Sequence, residues 1–142
     1  PGAPLFLLLG RMFSFLAMGD VLKVAYWINM LSVVSSALTI LFLYWTIVLL
    51  GKQVIQAAKG MALSSSQQFT LIAGGFVGAM AYTFSDSFWF SAVEAEVYGL
   101  SSFLTAFVFW AILKWATIED QRFADKWLIM IAYTVGLSIG VH

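Results

Sequence analysis

From Val24 to Leu50 the chain carries no charged side chain, and this stretch limits the fold more than any other. About 20 consecutive apolar residues, wound as a helix, cross the roughly 30 Å hydrocarbon core of a bilayer. The run exceeds that length, so it reads as a transmembrane helix. Composition agrees: 62% of the residues are hydrophobic and 10% charged, with a mean hydropathy of +0.94, against an apolar share of about 45–50% in soluble domains. The sequence is that of a membrane protein.

Three further segments approach the same length. Phe69 to Phe84 is apolar up to Asp86, Val97 to Trp115 carries only Lys114 at its end, and Trp127 to Val141 runs to the end of the chain. Ala3 to Met18 is shorter and holds Arg11. It reads as an interfacial juxtamembrane helix whose arginine snorkels toward headgroups, or else as a short span that would begin in the cytoplasm. The expected fold is an all-α, polytopic helical membrane bundle of about four transmembrane helices plus this interfacial one. Residues 1–142 form part of a single transmembrane domain, and the opening on Pro1 and the uncapped apolar end read as a piece of a longer chain.

Basic residues in short loops are retained on the cytoplasmic side during insertion. Loop 51–68 has Lys52 and Lys59 and no acid, and loop 117–126, with Lys114 just before it, has Arg122 and Lys126. Both are expected in the cytoplasm. The turn between them, 85–96, has Asp86, Glu94 and Glu96 and no base. It is therefore expected on the extracytoplasmic face, together with Asp20, Lys23 and, at the far end of the last span, His142. Close helix contacts are expected at Gly74-x-x-x-Gly78 and Gly136-x-x-x-Gly140, where small residues let backbones approach.

Charge and residue inventory exclude several function classes. Seven basic and seven acidic residues give no net charge, so nothing favours nucleic acid. The chain has no cysteine and one histidine, which rules out disulfides, thiolate chemistry and a zinc site of the usual ligand count. Any divalent metal would need carboxylates. No phosphate-cradling glycine loop, nucleophile elbow or metalloprotease helix is present.

Ionisable groups near hydrocarbon are expensive and usually serve a function. In the turn FWFSAVEAEVYGL, one continuous helix would set Ser91, Glu94 and Tyr98 on one stripe. Glu96 would lie about 200° around from Glu94, so one cleft would take one of them unless the helix starts between them. The alternative is that both carboxylates solvate a span end and favour the positive terminus of the next helix. Trp89, with Phe88 and Phe90, reads either as an interfacial belt or as a stacking surface for substrate. Arg11 reads as a headgroup anchor or a phosphate clamp, and His142 as a structural polar group or a ligand contact.

The opening PGAPLF, the turn SFWFSAVEAEVYGLSSF and the closing GLSIGVH together resemble a bacterial family of multi-spanning proteins related to protein O-mannosyltransferases, within the GT-C superfamily. The resemblance implies a membrane glycosyltransferase of the bacterial inner membrane. Such an enzyme moves sugar from a polyprenyl-phosphate donor to a protein or glycan acceptor on the extracytoplasmic side. In that family the acid serving as base precedes a His-Pro-Pro-like stretch, and Pro1 resembles its last proline, which puts that acid upstream.

Glu94 and Tyr98 resemble the acidic and aromatic positions of the second external turn. Many relatives have arginine where this chain has Glu96. His142 resembles the basic group that approaches the donor phosphate, a role an imidazole fills by hydrogen bonding or by charging at lower pH. The implied mechanism is direct displacement at the anomeric carbon. Asp86, Glu94 and Glu96 would orient the acceptor or help hold a divalent ion through oxygen ligands. Two competing classes are a non-catalytic subunit of a larger inner-membrane complex and a transporter, the latter disfavoured because the charges sit at span ends rather than within broken helices.

Overall fold

The computed structural model describes residues 2–59 and 63–141. The chain is helical throughout, with no strand among the described residues. In order it forms α1 (Pro4–Ser14), a 3-10 turn (Phe15–Ala17), α2 (Val21–Lys59), α3 (Ser65–Thr83), α4 (Asp86–Val93), α5 (Val97–Trp115) and α6 (Gln121–Ile139).

Local chemistry sets these boundaries. Pro4 opens α1, where its missing N–H costs nothing. Met18 and Gly19 turn the chain with positive φ, and Asp20 then accepts the Leu22 N–H at 3.1 Å to start α2. Ser64 and Gln67 form a reciprocal capping box at α3. Asp120 caps α6 by accepting the Arg122 N–H at 2.9 Å. Hydroxyls inside the helices turn back on their own backbones, as Thr39 does to the Ser35 carbonyl and Thr134 to the Met130 carbonyl. That satisfies them without water.

Among the described residues, two helices are long and apolar enough to cross a membrane: Val21–Ala57, with mean hydropathy 2.2, and Val97–Trp115, with mean hydropathy 1.5. Only 22% of the most apolar window of each is buried within the chain, so most of that surface faces outward, as lipid contact requires. The other two expected spans meet the standard less well. Helix α3 opens on Ser65, Ser66, Gln67 and Gln68, and the first turns of α6 carry Arg122, Asp125 and Lys126.

The expected loop 51–68 is largely helix, because α2 continues to Lys59. Its 39 residues make a rod about 58 Å long at about 1.5 Å per residue, well beyond the hydrocarbon core. The expected loop 117–126 is likewise shorter, since α6 begins at Gln121.

Helices α2 and α5 run parallel as the central pair. Ser32 and Ser36, in the first half of α2, meet Gly99 near the start of α5, and Trp45 meets Trp110 further along both. Helix α3 runs back along α2, with a Cβ built on Gly75 falling 3.2 Å from the Tyr44 ring. Helix α6 runs back along α5, so Trp127 meets Trp110 and Val141 packs with Leu100 and Leu104. Leu5, Phe6 and Leu9 of α1 cover that last cluster, and the Leu5 N–H donates to the Gly140 carbonyl at 2.9 Å. The glycine pairs are used by halves: Gly78 and Gly140 make contacts, whereas Gly74 and Gly136 face open space.

The α2–α5 pair therefore has two distinct ends. Asp86, Glu94 and Glu96 gather at the acidic end, and Lys52 and Lys114 at the basic end. Between them lies an aromatic core in which Phe42 touches Trp45, Phe103, Phe107 and Trp110.

Candidate functional site

The acidic turn is not one helix. Helix α4 ends at Val93, and Glu94 (φ −102°, ψ 142°) and Glu96 (φ −122°, ψ 163°) are extended. The single stripe expected for Ser91, Glu94 and Tyr98 is thereby broken, because the chain unwinds between the second and third of them. A tight turn closes the break, with the Glu96 N–H donating to the Glu94 carbonyl at 2.9 Å.

Two side chains of α2 hold this turn. Asn29 Nδ2 donates to the Val93 carbonyl at 2.8 Å, and Ser32 Oγ donates to the Glu96 carbonyl at 3.3 Å. They fasten the last residue of α4 and the residue capping α5, so the acidic segment is tied on both sides. The close approach beneath it depends on Gly99, where a Cβ would lie 3.3 Å from the Ser32 carbonyl oxygen and 3.3 Å from Ser36 Oγ.

Beside the turn is a pocket of about 280 Å³ lined with hydroxyls. Ser36, Ser85, Ser87 and Ser91 contribute, together with Tyr82 and Tyr98. Ser91 and Tyr98 thus meet at one cavity through the tertiary fold rather than through a shared helix face. Ser36 is 4% exposed and its Oγ has no partner, and Asn29 Oδ1 is likewise buried and unpaired. An orphaned buried polar atom costs about 1–3 kcal/mol, a cost that a polar ligand or water in the pocket would offset at Ser36, which lines it.

The three carboxylates have different standing. Asp86 sits in the first turn of α4 and Glu96 at the N-cap of α5. Both positions favour an anion through the helix dipole. Glu94 occupies the C-cap of α4, where that field is unfavourable, and it is half-buried while the other two are exposed. Helix-end electrostatics therefore explain Asp86 and Glu96 and leave Glu94 unexplained. No group of three or more Asp, Glu or His side chains able to hold a metal ion exists among the described residues.

The remaining expected site residues are spread out. Trp89 is 55% exposed and stacks on Phe84 at 6.3 Å. Tyr98 is 57% exposed at the pocket rim. The Arg11 guanidinium lies 4.8 Å from the centroid of the Phe15 ring. His142 and Pro1 fall outside the described residues, although the neighbouring Val141 is buried against Leu100, near the start of α5. Asn29, Ser32 and Ser36 were not anticipated from sequence. Their signal was nevertheless present: Ser32, Ser36 and Thr39 recur at helical spacing within an otherwise apolar run.

In comparison with known proteins, the family described as Protein O-mannosyl-transferase TMEM260 N-terminal domain matches residues 1–142. The chain belongs to that family. No curated protein and no solved structure matches it.

Proposed function

From membership in this O-mannosyltransferase family, we propose that the chain forms the sugar-transfer end of a membrane glycosyltransferase of the GT-C class. In this reading α2, α3, α5 and α6 all cross the bilayer, and the acidic turn faces the extracytoplasmic side. A polyprenyl-phosphate carrier supplies the mannosyl group and a protein hydroxyl accepts it. The observation that carries the reading is the turn at Glu94, fastened by Asn29 and Ser32 beside a hydroxyl-lined pocket.

In the proposed step, a carboxylate takes the proton of the acceptor hydroxyl as its oxygen bonds to the anomeric carbon, and Glu94 orients that hydroxyl for the transfer. The bond from that carbon to the phosphate oxygen breaks, and the phosphate leaves with the electron pair. Tyr98, Ser91 and Ser36 suit a neutral, hydroxyl-rich sugar, because each is both donor and acceptor. Trp89 offers a flat apolar face to the acceptor. Arg11 is the cationic candidate for the leaving phosphate, and His142 is a second candidate that acts by hydrogen bonding or by charging at lower pH.

The test is sugar transfer by the protein carrying this domain, supplied with a panel of polyprenyl-phosphate sugars and a serine- or threonine-bearing acceptor. Transfer of mannose in preference to other sugars is expected. A folded protein that transfers nothing, and that purifies at fixed ratio with other membrane subunits, would favour the non-catalytic reading instead.

A further inference from the structure

At the end of the α2–α5 pair remote from the acidic turn, a second pocket of about 410 Å³ is lined by Trp45, Val48, Leu49 and Lys52 of α2 and by Trp110 and Lys114 of α5. Two cations from different helices open onto one cavity, and neither has an anionic partner among the described residues. The one ion pair among the described residues joins Lys23 to Asp20 at the other end. Of the acids that follow α5, Asp120 caps α6, Asp125 accepts a hydrogen bond from Gln121 at 2.9 Å, and Glu119 is exposed in the loop and forms no ion pair with either lysine. Like charges sharing a cavity repel unless an anion sits between them.

The rest of the lining is apolar. The Trp45 and Trp110 rings lie 5.5 Å apart at 36°, and Val48 and Leu49 extend the wall. A free phosphate gains nothing from such a wall, whereas hydrocarbon does. Depth fits as well. Lys114 lies about 26 Å along α5 from Val97 at about 1.5 Å per residue, near the roughly 30 Å thickness of the hydrocarbon core. With Val97 at one boundary, the lysines reach the headgroups of the other, and tryptophan is favoured at that level.

We propose that this pocket binds an anionic phospholipid, with its phosphate between Lys52 and Lys114 and an acyl chain along Val48, Leu49 and the two tryptophans. The site is independent of the sugar-transfer reading and lies at the opposite end of the bundle.

The test is native mass spectrometry of the purified protein with phosphatidylglycerol and with phosphatidylcholine of the same acyl chains. Phosphatidylglycerol is expected to bind at least tenfold more tightly. The double variant Lys52→Ala/Lys114→Ala should lose that preference, Lys52→Arg/Lys114→Arg should keep it, and Lys23→Ala/Arg122→Ala, which removes the same charge elsewhere, should leave it unchanged. Millimolar inorganic phosphate should not displace the lipid. Equal binding of the two lipids by the parent protein, a preference that survives the double alanine change, or displacement by inorganic phosphate would overturn the proposal. If the alanine variant does not fold, quenching of parent tryptophan fluorescence by chain-brominated lipids decides. Stronger quenching by the anionic lipid supports the site, and equal quenching sinks it.

Discussion

The acidic and basic ends of the α2–α5 pair are built on the same two helices from opposite materials. At the acidic end Ser32, Ser36 and Gly99 bring the backbones together, and side-chain hydrogen bonds from α2 fasten the turn that follows. At the basic end Trp45 and Trp110 fill the space between the helices, and the lysines hang on flexible stems with no partner. Close backbone packing holds the turn in one geometry, which positioning a catalytic carboxylate requires. Aromatic walls with mobile cations tolerate variety, which suits a lipid.

Substitutions can separate the two ends. The largest effect on stability is expected from Phe42→Ala, because Phe42 is the ring that meets Trp45, Phe103, Phe107 and Trp110. The loss should be about 3 kcal/mol, mostly packing, and is read as a lowered unfolding midpoint in detergent. Gly99→Leu comes next at about 1–3 kcal/mol, since even a Cβ is tight against Ser32 and Ser36. Gly136→Leu, which faces open space, should stay within about 0.5 kcal/mol of the parent. Equal effects at the two glycines would remove the claim of close packing at the acidic end.

Asn29→Ala should cost about 1 kcal/mol. Its signature is local: amide exchange at residues 93–96 accelerates while the aromatic core remains protected. Smallest is Asp86→Asn, expected to cost no more than about 0.5 kcal/mol through the α4 dipole and to leave transfer within a few-fold of the parent. A collapse of transfer in that variant would move the chemistry away from Glu94.

The sequence announced the helical membrane character because lipid leaves the backbone no alternative to internal hydrogen bonding. The uncharged run from Val24 and the apolar run from Val97 both became helices long enough to span. The extent of α2 was not legible, because Gly51, Lys52 and Gln53 read as a loop, whereas a helix emerging from a membrane can carry them on in water. The turn at Glu94 was located but its shape was not: period alone cannot show that the chain unwinds where α2 offers Asn29 and Ser32 to its carbonyls. The meeting of Ser91 and Tyr98 at one pocket likewise depends on tertiary packing, which no local pattern encodes.

The account stands most directly on Glu94, the carboxylate that helix-end electrostatics leave unexplained. The decisive measurement is the initial rate of mannosyl transfer by the parent, Glu94→Gln and Glu96→Gln proteins, each shown to be folded. A fall of about 10²–10⁴-fold in the first variant, with the second within a few-fold of the parent, is the predicted result. An unchanged rate in Glu94→Gln, or equal losses in both, would contradict it.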